Sequence, residues 1–239
     1  MLLLSGLLAS PSFGAVSLDR TRVIYPGDAK SISLTIRNNN KTLPYLAQAW
    51  LEDASGNKIN SPFTVLPPVQ RLEPDMESLV KVQSLPALAL LPQDKESLFY
   101  FSVREVPPRS DQPNTLQLAM QTRIKFLYRP SRLVVDPASP AGRWPEQVTL
   151  TQTGDKYRLT NPTPYFVTLV SAARDAKGEE VDAFTPLMLA PGASETLGVG
   201  PAQLGKQPSF TYVDDYGGRR ALTYRCNTRC TLQPQGRGQ

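Results

Sequence analysis

The stretch NTLQLAMQTRIKFLYRP, residues 114–130, alternates apolar and polar side chains almost without interruption. Leucine, methionine, isoleucine, phenylalanine and tyrosine stand at even positions, whereas glutamine, arginine and lysine stand at most odd positions. A period of two predicts a β-strand with one apolar face. At about 3.3 Å per residue the strand would reach roughly 50 Å, far beyond an average strand of roughly 5–6 residues. The length of the stripe leaves open what its apolar side chains pack against.

The rest of the chain also predicts β-structure. Its 23 prolines among 239 residues are about twice the usual share of roughly 5%, and they separate short apolar runs of period two. No amphipathic helix longer than two turns is predicted. The predicted strands cover residues 16–23, 31–37, 45–52, 79–83, 97–106 and 114–129, and then 148–153, 157–160, 166–174, 185–189, 210–213 and 222–224.

The interruption of this pattern at residues 130–140 predicts two all-β domains. Each half has the size of an immunoglobulin-like sandwich, so we expect one domain over residues 15–133 and a second over 134–239. The second half could equally complete one larger sandwich, but the proline-rich joint favours separation.

The first fourteen residues, MLLLSGLLASPSFG, predict a secretory signal peptide. Their apolar run at residues 2–9 is too short to span a bilayer, and Ser12 and Gly14 suit the −3 and −1 positions of a cut before Ala15. The basic start of such a signal is missing, so a buried N-terminal element is the alternative. No other segment approaches the roughly 18 apolar residues of a membrane helix, so we expect no membrane insertion.

The two cysteines, Cys226 and Cys230 in RCNTRC, predict a disulfide that closes a very small loop. A chain with two cysteines and no histidine cannot easily supply the four ligands of a zinc site. A disulfide indicates an oxidising compartment such as a periplasm.

The absence of histidine also removes the Ser-His-Asp and Cys-His arrangements, so we predict no catalytic residue, no metal and no cofactor. The segment GPAQLGKQ, residues 200–207, imitates a phosphate-binding loop but carries Gln207 in place of Ser or Thr, with Pro208 next. It predicts a plain surface loop. The net charge of +5 is spread along the chain without a basic block, so nucleic-acid binding is not expected either.

Seven ordered blocks give the chain a resemblance to a known family. The chain resembles the periplasmic pilus (fimbrial) chaperones of the chaperone–usher pathway of Gram-negative bacteria. The blocks are AVSLDRTRVIYPG, LPYLAQAWLED, PPVQRLEP, LPQDKESLFYFSVREVPPRS, LQLAMQTRIKFLYRP, NPTPYFVTL and DYGGRRALTYRC.

The resemblance implies two immunoglobulin-like domains arranged as a boomerang with a cleft between them. Its partners would be pilus subunits, both pilins and adhesin, and an outer-membrane usher that receives them. Leu116, Leu118 and Met120 would enter the open groove of a subunit that lacks its last strand, which is donor-strand complementation. Periodicity alone favours packing of all three against the chain's own core. Self-association could hide this edge in the unbound chain.

Two further sets of residues match functional positions of the family. Arg22 and Lys125 would hold the C-terminal carboxylate of the subunit, to which Arg and Lys donate strong hydrogen bonds. A salt bridge between the domains would involve Glu96, Arg129 and Asp215. Lys125 has the opposite parity to Leu116, so the strand would have to twist or bulge for both to meet one partner.

A secreted two-domain adhesin or structural pilin is the alternative from another class of function. A pilin carries an N-terminal donor extension. Here the expected mature N-terminus runs directly into VSLDRTRV, which argues against that alternative.

Overall fold

The computed structural model describes residues 14–110, 116–136 and 139–234. The predicted signal peptide therefore lies outside the described residues except for Gly14, and so does the start of the predicted long strand, Asn114 and Thr115. Among the described residues, no helix is long and apolar enough to cross a membrane.

The first domain is a two-layer sandwich. One sheet has the strand order β1-β3-β8-β6, and the other has the order β2-β10-β9-β4-β5, with β7 also paired to β4. Its strands are β1 (Val16–Leu18), β2 (Arg22–Pro26), β3 (Ser31–Asn38), β4 (Tyr45–Glu52), β5 (Lys58–Ile59), β6 (Phe63–Leu66), β7 (Val69–Leu72), β8 (Glu77–Ser84), β9 (Ser97–Val106) and β10 (Gln121–Arg129).

The second domain is another sandwich, with sheets ordered β11-β12-β15 and β14-β13-β16-β17-β18. Its elements are β11 (Thr149–Thr153), β12 (Lys156–Thr160), β13 (Val167–Ala173), β14 (Leu187–Leu189), β15 (Ser194–Thr196), α1 (Pro201–Leu204), β16 (Ser209–Val213), β17 (Arg219–Cys226) and β18 (Cys230–Leu232). Short 3₁₀-helices cover Pro86–Leu90, Ser131–Leu133 and Pro140–Gln147.

Each sandwich has its own apolar core. In the first domain Phe63 is fully buried and its ring contacts those of Tyr25, Phe99 and Phe126, with centroids 4.9, 5.4 and 5.1 Å away. The core of the second domain is separate and includes Phe210 and Tyr224. The predicted all-β fold of two immunoglobulin-like sandwiches is therefore confirmed, and the alternative of one larger sandwich is wrong.

The predicted strand 114–129 is only partly right. The strand β10 begins at Gln121, and residues 116–120 have no strand conformation. Because Gln121 pairs with Arg104, the same register would place Leu118 opposite Pro107 and Gln117 opposite Pro108. Proline has no N–H to donate, so the ladder with β9 cannot continue.

The run 16–23 was also predicted as one strand and is in fact two. The strand β1 pairs antiparallel with β3 in one sheet, whereas β2 pairs parallel with β10 in the other. Within 200–207 the structure has one helical turn, Pro201–Leu204, where a plain loop was predicted, although a strand follows as expected.

Candidate functional site

The even-numbered stripe of residues 116–128 lies in two different environments. Ile124, Phe126 and Tyr128 are 8%, 0% and 2% exposed and belong to the core of the first domain, as expected. Leu116, Leu118 and Met120 are 82%, 68% and 49% exposed. Large apolar side chains in a row at the surface are costly in water unless a partner covers them.

The strand β10 also has an open edge beside this exposed segment. On one side β10 pairs with β9 from Gln121 to Tyr128, but on the other side β2 pairs only from Lys125 onward. Within the part of the chain that the structure describes, residues 121–124 therefore have no strand neighbour on the β2 side. An open edge that continues into exposed apolar side chains is a template for an added strand.

Two cations mark the end of the open edge. Arg22 and Lys125 are opposite each other in the first pair of the parallel β2–β10 ladder. Lys125 Nζ donates to Thr168 Oγ1 at 2.9 Å, and Arg22 Nη1 donates to the carbonyl oxygen of Val213 at 3.1 Å. Because Thr168 and Val213 belong to β13 and β16, both cations lie in the cleft between the domains.

The cleft leaves these cations incompletely satisfied. Burial, together with the smaller effect of the positive charge of Arg22, lowers the pKa of Lys125 to about 8. Burial also lowers the pKa of Arg22, although Asp215 and Asp214 oppose the effect. Among the described atoms, Arg22 Nε is a buried donor without a hydrogen-bond partner. An anion would satisfy that donor and relieve the repulsion between the two cations.

A buried ion triad joins the two domains next to this pair. Arg129 Nε donates to Glu96 Oε1 at 2.7 Å, while its Nη1 and Nη2 donate to Asp215 Oδ2 and Oδ1 at 2.6 and 2.8 Å. Burial of the guanidinium lowers the pKa of Arg129, but the bonds and charges of Asp215 and Glu96 outweigh burial and raise it above its ordinary value.

Glu96 also makes hydrogen bonds to the second domain. Its Oε2 accepts from the N–H of Phe166 at 2.7 Å, and its own N–H donates to the carbonyl of Pro164 at 2.9 Å. The guanidinium of Arg129 lies 4.9 Å from the ring centroid of Tyr165. The triad thus fixes the segment 164–166 against the end of β10.

The remaining predicted positions lie away from the cleft. Cys226 and Cys230 form a disulfide with an S–S distance of 2.02 Å, and they are paired across β17 and β18. In the part of the chain that the structure describes, no group of three potential metal ligands comes together.

Sequence reasoning missed the second-domain partners of the two cations, Thr168 and the carbonyl of Val213. No local pattern marks them, because they reach the cleft only when the domains dock. The strand β10 also has an unbroken register with β9, so the bulge considered from the parity of Lys125 is absent. Lys125 instead points out of the sheet toward the second domain.

Family models match most of the chain. Residues 15–134 match the N-terminal domain of PapD, described as a pili and flagellar-assembly chaperone, and residues 143–224 match the C-terminal domain of the pili assembly chaperone PapD. The chain belongs to the PapD family of pilus assembly chaperones.

Individual relatives agree with this membership. The probable fimbrial chaperone YfcS of Escherichia coli K12 is 47% identical over 224 residues, which cover 92% of this chain and 88% of that protein. The chaperone protein PapD of Escherichia coli is 44% identical over 223 residues, covering 92% and 91%. The predicted family resemblance is confirmed.

Solved structures of pilus chaperones have the same fold. The structure of the Salmonella enterica SafA pilin in complex with the SafB chaperone matches with a TM-score of 0.74 and 25% identity, covering 91% of this chain and 99% of that one. The YadV chaperone matches with a TM-score of 0.70 and 32% identity, covering 89% and 100%.

The lowered pKa of Lys125 predicts a pH-dependent cost to the folded chaperone. Its folded pKa of about 8 lies below the unfolded value of roughly 10.4, so the unfolded chain binds more protons between these values and stability rises with pH there. Below about pH 8 the cost is fully present. At pH 7 Lys125→Met should therefore have a free energy of unfolding in urea about 1 kcal/mol higher than the wild type, once partial exposure is allowed for. The difference should shrink as the pH rises from about 8 and disappear above the unfolded pKa of roughly 10.4.

The control for this experiment is Lys41→Met, an exposed lysine of the same domain. Its stability relative to the wild type should not change over the same pH range. A Lys125→Met protein that is less stable than the wild type at pH 7 would contradict the assignment of the cost to this charge.

The triad predicts a large loss of stability for Arg129→Met. The substitution leaves Glu96, whose side chain is 0% exposed, without its cation, and breaking such a buried pair costs about 3–5 kcal/mol. Urea unfolding followed by tryptophan fluorescence measures the loss in both domains, because Trp50 lies in the first and Trp144 in the second.

Arg71→Met provides the comparison, since Arg71 and Glu73 are a surface pair with side chains 62% and 56% exposed. That change should cost far less than Arg129→Met, because water and salt screen an exposed ion pair. Equal losses for Arg129→Met and Arg71→Met would show that the triad does not couple the domains.

Proposed function

We propose that this chain is a periplasmic chaperone that binds, folds and caps pilus subunits by donor-strand complementation and delivers them to an outer-membrane usher. The observation that carries the proposal is one surface: exposed Leu116, Leu118 and Met120, the open edge of β10 behind them, and the Arg22–Lys125 pair where that edge ends. Membership of the PapD family supports the same role.

The apolar residues supply the energy of capture. A subunit strand added along residues 116–124 would form a main-chain ladder with the open edge, while the side chains at 116, 118 and 120 enter its groove. Burying each of these side chains is worth roughly 1.5–3 kcal/mol, and the ladder fixes the register. When these three side chains fill the groove of the subunit, they supply the part of the subunit's core that its missing strand leaves empty.

The two cations, Arg22 and Lys125, fix where the added strand ends. The C-terminal carboxylate of the subunit would bind between Arg22 Nε and Lys125 Nζ, where a buried donor is free and two positive charges face each other. At about 3.3 Å per residue, Leu116 lies roughly 30 Å from Lys125, so anchoring one end of the added strand sets which groove positions meet which side chain. Anchoring therefore determines register rather than adding contact area.

The triad supplies the geometry of the cleft. Arg129 is the last residue of β10 and lies at the joint between the domains. Its two carboxylate partners come from either side of that joint, Glu96 from the first domain and Asp215 from the second. We propose that it holds Thr168 and Val213 at the distance at which they can position Lys125 and Arg22. The role of Glu96, Arg129 and Asp215 is therefore orientation of the anchor.

We propose residues 1–14 as the signal peptide, 15–133 and 134–239 as the two domains, pilins and adhesin as subunits, and self-association as a way to cover the exposed stripe when no subunit is bound. The function needs no catalytic residue, cofactor, nucleic acid or membrane insertion. SafB, with which this chain shares 25% identity, was solved in complex with a pilin.

A charge at Leu118 tests whether the exposed residues 116–120 bind the groove of the subunit. Leu118→Glu should leave the chaperone folded, because Leu118 is 68% exposed, but should reduce the yield of chaperone–subunit complex at least tenfold on co-expression with a subunit. Leu90→Glu is the matched control, since Leu90 is 86% exposed on the Pro86–Leu90 turn, and it should capture subunits normally. If Leu118→Glu unfolds the protein, position 118 belongs to the core.

Removal of either cation tests the anchor. Arg22→Ala and Lys125→Ala should each abolish the stable 1:1 complex in size-exclusion chromatography of periplasmic extracts, because one unpaired cation cannot fix the carboxylate. Arg20→Ala, which removes an exposed cation that lies two residues before Arg22 and pairs with Asp19, should have no such effect. Undiminished complex formation by both cleft variants would rule out the anchoring.

A further inference from the structure

A buried carboxylate lies where the expected mature chain begins. Glu105 is 5% exposed and shares the inward face of β9 with Phe99, Phe101 and Val103. Its Oε2 accepts a hydrogen bond from the backbone N–H of Val16 at 2.8 Å. An acid at the end of an apolar stripe is expensive to bury unless a cation or several hydrogen bonds compensate it.

The nearby charged side chains are engaged elsewhere. On β9, Arg104 points to the opposite face and donates to Gln48 at 2.8 Å. On β3, Arg37 is bound to Asp75 and Glu77 at 2.7 and 2.9 Å. The strand β1 carries no charged residue. Within the described residues, the neutral N–H of Val16 is thus the hydrogen-bond donor of the Glu105 carboxylate.

The backbone before Val16 passes directly over this carboxylate. A Cβ at Gly14 would lie 3.4 Å from Glu105 Oε2 and 3.5 Å from Met120 Cβ. In the chain the nitrogen of Ala15 follows Gly14 and precedes the Val16 N–H that donates to the carboxylate, and standard bond lengths put it only about 3 Å from the nitrogen of Val16. The carbonyl of Ala15 is held by the N–H of Asn39 at 2.7 Å, which fixes this residue in place.

We propose that cleavage after Gly14 places the new α-ammonium group of Ala15 on the carboxylate of Glu105, as a buried ion pair. Hydrolysis by a signal peptidase adds water across the Gly14–Ala15 peptide bond, so that the departing leader takes a carboxylate and Ala15 keeps an ammonium. This inference rests on the proposed export of the chain. It gives Glu105 the cation that the side chains around it do not supply.

The ion pair would also position the donor segment. The backbone N–H of Glu105 donates to the carbonyl of Met120 at 3.0 Å, which is the last ladder bond before the exposed stripe. Gly14 lies against the side chain of the same methionine. The mature N-terminus, Glu105 and Met120 thus meet at the root of the segment that enters the subunit. Glu105 is accordingly a positioning residue.

The reactivity of the α-amine tests the pair in the wild-type protein. The chain is expressed with its own leader, purified from the periplasm, sequenced from its N-terminus and labelled with acetic anhydride at a series of pH values. We expect Ala15 as the first residue and an α-amine whose labelling midpoint lies about one pH unit or more above the ordinary pKa of roughly 7.7–8.0. Labelling at pH 7.5 should be at least tenfold slower than in an unfolded control.

Two altered chains and one matched control make the labelling test specific for the Glu105 carboxylate. Glu105→Gln retains the shape and an acceptor for Val16 but removes the charge, so its α-amine should label at the ordinary pH. A chain that begins at Ser12 moves the ammonium three residues along the chain, by as much as about 10 Å, and should lose the protection even if Glu105→Gln does not fold. Glu195→Gln, an exposed acid of the second domain, should behave as the wild type.

The outcomes separate this inference from the proposed function. A first residue other than Ala15, or an ordinary midpoint in the wild type, overturns the ion pair, and subunit capture that depends on Arg22 and Lys125 would then stand by itself. A raised midpoint that Glu105→Gln abolishes supports the pair, even if the same protein captures no subunit and the chaperone function falls.

Discussion

The architecture of this chaperone depends on one buried interaction, the contact of Arg129 with Glu96 and Asp215. The three charges meet at distances of 2.6–2.8 Å where the last residue of β10 enters the joint between the domains. The planar guanidinium uses one nitrogen for Glu96 and two for Asp215, a geometry that lysine cannot reproduce. Burial makes this arrangement costly in isolation, and the complete set of hydrogen bonds compensates the cost.

The strand β10, which ends at this interaction, makes different contacts along its length. Near Arg129 the strand is fixed to the second domain, and at Phe126 it fills the first core. At Lys125 it presents a cation to the cleft, and beyond Gln121 it leaves the ladder with its apolar side chains in water. The exposed residues 116–120 therefore continue from a strand whose other end is bound to the second domain through Arg129.

The sequence could predict the strands and the inward faces but not where their roles change. Period two correctly placed Ile124, Phe126 and Tyr128 in the core, since side-chain alternation is a property of the backbone itself. It could not separate Leu118 from Ile124, because both follow the same pattern. That separation depends on Pro107 and Pro108, which end the neighbouring ladder and lie eleven and ten residues before Leu118 in the chain.

The site shows the same limit. Arg22 and Lys125 are distant in sequence and were found only through the family resemblance, because their approach depends on parallel pairing of β2 with β10. Thr168 and Val213 were missed, since domain docking leaves no trace in local sequence. Glu105 did leave a trace: it is an acid at an apolar parity of β9, a conflict between local pattern and fold that often marks a functional or compensated position.

Two positions beside the exposed residues 116–120, Lys125 and Glu105, show the same electrostatic pattern. At Lys125 the fold buries positive charge without a full set of partners, and at Glu105 it buries negative charge beside a neutral amide. Each is unfavourable in the chain by itself, and each would be compensated by the chain terminus that we propose for it, a subunit carboxylate at Lys125 and the protein's own ammonium at Glu105. This pattern suits a chaperone that holds the strand of another protein in one register. A backbone carries charge only at its termini, so a terminal charge marks a single position along a strand.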